Sequence, residues 1–212
     1  MNGQAVDGSR ITDSLIRSAG IAGIVGGIAV ALAYLTHPNS APPDTVASTG
    51  WIWIHVGFMV SLVAGIFLLI ALLGAYLRAG GGYVGFTGFA LALLSMLFIF
   101  GLDYSEVFIF PTLAVEYPQV VEHYGDGTSM PSVAFAFPVS GVLFVVGFVL
   151  FSWALYRKST VDSGAAIVTI VGTIVFGIGL SGLVPMTVVR IGAVIFGAGL
   201  AWLGVSLFRR HR

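Results

Sequence analysis

Asp103 and Glu106 stand three residues apart, with an uncharged apolar run from Ala79 to Leu102 before them and apolar sequence again from Val107 to Phe110. A carboxylate pair in such surroundings is costly unless something answers it: a proton, a cation or a basic side chain. Two residues far away in the chain have suitable chemistry. His55 follows the aromatic anchor Trp51-x-Trp53 by about one helical turn, and Arg190 is the sole basic residue between Lys158 and Arg209.

Several chemistries fit this set. Arg190 with Asp103 or Glu106 would form an interfacial ion pair, favoured by the bidentate match of guanidinium and carboxylate. His55, Asp103 and Glu106 would offer a metal one imidazole and two carboxylates, a mix suited to zinc, iron or manganese. His37 and His55 would be the pair to flank a haem. Neither HExxH nor CxxCH spacing occurs, and Asp103-x-x-Glu106 lacks the second acidic motif expected of a magnesium-diphosphate site in a lipid-modifying enzyme. No cofactor is therefore assigned from sequence.

The elements that must position these residues are set by composition. Of 212 residues, 58% are hydrophobic and 8% charged, against about a quarter charged in a soluble domain. Uncharged runs cover 18–43, 45–77, 79–102, 127–156, 163–189 and 191–208. Each matches or exceeds the ~18–20 residues that cross a bilayer as a helix. Because backbone polar groups must be satisfied internally in lipid, and the short alternating segments of a barrel are absent, the expected fold is all-α. It is a polytopic bundle with spans near 18–35, 51–77, 84–110, 132–156, 163–184 and 188–208. Residues 1–17 form a polar leader and 209–212 a basic tail. A cleaved signal sequence in place of the first span is disfavoured by the length of its apolar run.

Within the spans, Ala19, Gly23, Gly27 and Ala31, and again Gly57, Ser61 and Gly65, form stripes of small residues that admit a close neighbour. They serve packing, or contact with a second copy or another membrane protein. Zero formal net charge and the lack of a basic tract exclude nucleic acid as a partner, leaving the bilayer itself. Without cysteine there is no disulfide or thiolate chemistry.

Six spans put eight of nine basic residues at one end, the exception being Arg190. The positive-inside rule then makes both termini cytoplasmic, in a multi-pass protein of the cell membrane. Six of the nine acidic residues, Asp44, Asp103, Glu106, Glu116, Glu122 and Asp126, fall at the opposite end. At ~1.5 Å per residue, Asp103 lies roughly 28 Å above a start at Val84, close to the outer boundary of the hydrocarbon. The longest connection, 111–131, carries Glu116, Glu122, His123 and Asp126, with three prolines and no Lys or Arg. It reads as a cap over the outer ends, with His37 beside it.

The functional expectation is a small transporter-like or accessory membrane protein with an outward polar pocket of His55, Asp103, Glu106 and Arg190. An enzyme is not expected. A metal- or haem-binding protein, or a lipid-modifying enzyme, is the runner-up.

Overall fold

In a computed structural model, the structure describes residues 8–123, 130–180 and 184–210. Every regular element among them is a helix: α1 (Gly8–Thr36), α2 (Pro43–Val46), α3 (Thr49–Arg78), α4 (Tyr83–Phe108), α5 (Phe110–Glu116), α6 (Pro118–Glu122), α7 (Pro131–Arg157), α8 (Ser163–Leu180) and α9 (Met186–Arg210). Six are long and apolar enough to cross a membrane, namely α1 from Ser14 onward, α3, α4, α7, α8 and α9 up to Arg209. The expected six-span all-α bundle is the observed one. The third span ends at Phe108, two residues early, because Ile109 is the joint at which α5 begins, with Pro111 in its first turn.

Each long helix packs against its neighbours in chain order, and α9 returns to α1, so the six form a closed ring. The short α3–α4, α7–α8 and α8–α9 connections enforce this for their pairs, since antiparallel neighbours are what short turns can join. Ser48 starts α3 by accepting the Trp51 amide at 3.2 Å. The α3–α4 turn runs through Gly80 at φ +70, and the Tyr76 hydroxyl holds it by accepting the Gly82 amide at 2.9 Å.

The core is aromatic. Phe144 and Phe148 of α7 meet Phe196 of α9 edge-on at 5.0 and 5.1 Å, and Phe176 of α8 stacks on Phe196 at 5.9 Å. Large apolar side chains such as Leu32, Phe67, Val142 and Ile167 are exposed on the outside of the ring, where lipid would meet them. Water does not drive such helices together inside a bilayer, so close backbone approach must do much of the work.

Glycines provide it. A Cβ at Gly27 would run into Gly197, one at Gly20 into Gly204, one at Gly172 into the backbone of Phe196, and one at Gly88 into that of Phe151. The repeated Phe-Gly-x-Gly-Leu at 176–180 and 196–200 thus belongs to one antiparallel crossing, in which Gly192 underlies Phe176 just as Gly172 underlies Phe196. The small faces at Gly23, Gly27 and Gly65, read from sequence as possible contacts for another chain, press on Leu68, Gly197 and Met96 of this one, and Gly57 lies against Ala33.

Candidate functional site

At the end of the ring opposite Arg78, Arg157 and Arg209, α2, α5 and α6 form a roof. Val46 from α2, Phe110 and Ala114 from α5, and Val121 from α6 enclose Trp51 in a small apolar cluster separate from the main core. The cap expected from 111–131 is therefore present over its first part. Glu116, Glu122 and His123 are exposed on its surface rather than turned inward. Asp126 lies outside the described residues.

Beneath the roof, the last turns of α4 carry Asp103 and Glu106, only 8% and 6% exposed. The Oε2 atom of Glu106 is shut off from solvent. Spacing of three on a helix brings the two carboxyls onto one side, and each lies within the other's field. Asp103 also faces Tyr34 of α1 electrostatically. The Tyr34 ring packs on Phe58 of α3 at 4.5 Å and edge-on to Phe176 of α8 at 4.8 Å, so it joins three helices at this level.

A second group gathers on the α1–α3 side. His55 is buried, and its Nδ1 donates to the Trp51 carbonyl one turn back at 2.9 Å. Its ring lies 4.2 Å from that of Trp51 and 5.5 Å from that of His37. His37 is half-buried, and its Nδ1 donates to the Pro38 carbonyl at 2.8 Å. Burial pushes the His37 imidazole below its usual value; the Pro38 bond opposes this and the nearby Arg190 guanidinium adds to it.

Arg190 departs from expectation. Its Nε donates to the Tyr34 carbonyl at 3.3 Å, and its Nη2 to the His37 carbonyl at 2.7 Å and to Asn39 Oδ1 at 2.9 Å. The predicted ion pair with Asp103 or Glu106 is thus replaced by a cap on α1. The reason is topological: α9 adjoins α1 in the ring but stands across it from α4. The terminal carbonyls of α1 are the acceptors within reach, and a cation there also suits the helix dipole.

The four residues read as one pocket therefore fall into three places, with Asp103 and Glu106 on α4, His55 beside Trp51 and His37, and Arg190 over the end of α1. No three His, Asp or Glu side chains among the described residues come together as a metal ion would require. The metal set His55, Asp103 and Glu106 is not assembled. Tyr34 and Asn39 were not picked out from sequence. Tyr34 precedes His37 by three, which places both on one face of α1's end; Asn39 gives no signal, because its role depends on where α9 closes the ring.

Below the site the hydroxyls are already committed. Ser61 donates to the Gly26 carbonyl at 2.9 Å, Ser95 to the Ser140 carbonyl at 2.9 Å, Thr169 to that of Ala165 at 2.8 Å and Thr173 to that of Thr169 at 2.7 Å.

The chain matches no protein-family model, no curated protein and no solved structure. What the site can do rests on its geometry: a pair of buried carboxyls, an aromatic cluster where α1 meets α3, and a guanidinium bonded to the Tyr34 and His37 carbonyls and to Asn39.

Proposed function

We propose that this chain is a non-enzymatic accessory or transporter-like protein of the cell membrane, with cytoplasmic termini, that accepts a small cation at Asp103 from the outer face. The observation that carries the reading is the environment of Asp103. The residue is only 8% exposed. Its electrostatic neighbours are a second carboxyl and a phenol, neither of which brings positive charge. Charge held in such a place gains strongly from a counter-cation. Tyr34, whose ring packs on Phe58, is an aromatic neighbour of Asp103, of a kind that a cation tolerates well.

Accessory binding is favoured over conduction, because the hydroxyls deeper in the bundle are engaged and phenylalanines fill its centre. The positive-inside rule supports this orientation, with Arg17, Arg78, Arg157, Lys158 and Arg209 at the opposite end.

The test is thermal unfolding of the detergent-purified protein at constant ionic strength in sodium, potassium, ammonium and calcium salts. Binding to the folded state raises Tm with cation concentration. The expected result is a rise with one cation class that disappears in Asp103→Asn and persists in Glu116→Gln, an exposed control. A wild-type Tm indifferent to every cation, or a rise that Asp103→Asn leaves intact, overturns the reading.

A further inference from the structure

At the other end of the bundle, the turn between α3 and α4 and the last turn of α7 enclose a groove of about 390 Å3. Arg157, Lys158 and Trp153 line it on the α7 side, and Tyr83 and Val84 on the α4 side. No carboxylate lines it among the described residues. The Arg157 guanidinium sits 5.4 Å from the centre of the Trp153 ring, which holds its charge at the groove instead of letting it reach freely into water.

The floor is rigid. Tyr76 is 3% exposed, and its hydroxyl both accepts from the Gly82 amide at 2.9 Å and donates to the Gly82 carbonyl at 3.2 Å. Its ring lies so close to Gly81 and Gly85 that a Cβ at either would overlap it. The turn is therefore wrapped around one side chain. The first amides of α4, for which no side chain provides a cap, border the groove and add the positive end of a helix dipole to the two cations.

We propose that this groove binds the phosphate headgroup of an anionic phospholipid from the surrounding leaflet. Charge complementarity selects an anion, since two cations and free amides converge with no acidic partner. Position selects a lipid over a soluble anion. The groove lies where α3, α4 and α7 reach the membrane surface, and its side walls, Val84 and Trp153, are exposed apolar surface on which acyl chains can lie. Trp153 and Tyr83 are the residue types that sit at headgroup level. Arg17, Arg78, Arg157, Lys158 and Arg209 share this end, and anionic lipid is concentrated in the cytoplasmic leaflet, so the groove faces the leaflet that supplies its ligand.

The experiment is native mass spectrometry of the full chain released from nanodiscs of equal phosphatidylglycerol and phosphatidylcholine, counting the lipids it retains. The expected result is a preference for one phosphatidylglycerol of about 30-fold, the factor that two basic groups at a membrane surface supply. It should fall close to unity in Arg157→Gln/Lys158→Gln and stay unchanged in Arg209→Gln, whose helix meets α7 through the core rings of Phe144, Phe148 and Phe196 and does not line the groove. Inorganic phosphate at millimolar concentration should leave the retained lipid in place. An equal loss in Arg209→Gln would mean diffuse attraction to the basic end, and displacement by inorganic phosphate would mean a small-anion site; either overturns the assignment. Trp153→Leu, which keeps apolar bulk but frees Arg157, should lower the preference several-fold, and a wild-type value there overturns the role given to the ring. Circular dichroism of each variant separates loss of lipid from loss of fold.

Discussion

The guanidinium of Arg190, near the start of the last span, donates to the backbone carbonyl of His37, just past the end of the first, at 2.7 Å. With the Tyr34 carbonyl and Asn39 it ties the two ends of the chain's membrane region together and closes the ring. Hydrogen bonds from a charged donor contribute about 1.5–3 kcal/mol when partly buried. Arg190→Gln should accordingly lower stability by about 2 kcal/mol. The loss should add to that of Asp103→Asn with no recovery in the double variant, since the two side chains share no partner. Detergent unfolding of the four proteins measures the coupling, and a double variant more stable than Arg190→Gln alone would reinstate a direct ion pair.

His37 makes the same corner sensitive to acid. Its bond to Pro38 O requires the proton on Nδ1, and burial beside Arg190 holds the ring below its ordinary value. The folded chain therefore binds fewer protons at this site than the unfolded chain between the lowered value and about 6.5. Stability should be fully present above about pH 6.5 and fall as pH drops through that window. Thermal unfolding from pH 7.5 to 5 checks this. His37→Gln should flatten the profile, and an unchanged slope would assign the acid loss to other groups.

Membrane residence and span number were legible because each depends on local composition and the length of an apolar run. That Asp103 and Glu106 sit amid apolar sequence was legible for the same reason. Which helix meets which was not. Arg190 and Asp103 are both polar groups at the same end, and depth alone makes them look like partners. Only the order of helices around the ring sets them apart and gives Arg190 the carbonyls of α1. His55 likewise satisfies itself one turn back on its own helix, at Trp51 O, an option open to any histidine in a helix and invisible to a search for partners elsewhere. The roof was half legible: prolines at 111 and 118 marked short pieces, but each became the first turn of a helix.

Glycine positions separate close packing from mere composition. Gly27 on α1 abuts the Gly197 carbonyl of α9, so Gly27→Ala forces two backbones apart and should cost about 1–3 kcal/mol, as overpacking does. Gly74 on α3 and Gly141 on α7 have open space where a Cβ would go. Gly74→Ala and Gly141→Ala should be neutral or stabilising by up to about 1 kcal/mol, the helix-propensity gain. Comparing the three variants by unfolding in one detergent is decisive, because all are the same chemical change. Equal effects would remove the α1–α9 contact as the reason for glycine at position 27.

Trp51 offers a cleaner test of the roof. It is 5% exposed and packs against residues of α2, α5 and α6, yet its indole Nε1 is enclosed without a hydrogen-bond partner. The ring is therefore held by apolar contact, with its N–H a cost of about 1–3 kcal/mol. Trp51→Phe removes the N–H, leaves a smaller ring, and should change stability little. Trp51→Ala removes the centre of a five-residue cluster that does not merge with the main core, where losing a buried aromatic costs about 3–5 kcal/mol. Because the cluster stands apart, that loss should appear as local opening, with the ring of six helices still folded. Limited proteolysis of the reconstituted protein should then cut within 110–123 much faster in Trp51→Ala than in the wild type or Trp51→Phe, at nearly unchanged global unfolding temperature. Equal cutting in all three proteins would mean that the short helices are held down by something other than this tryptophan.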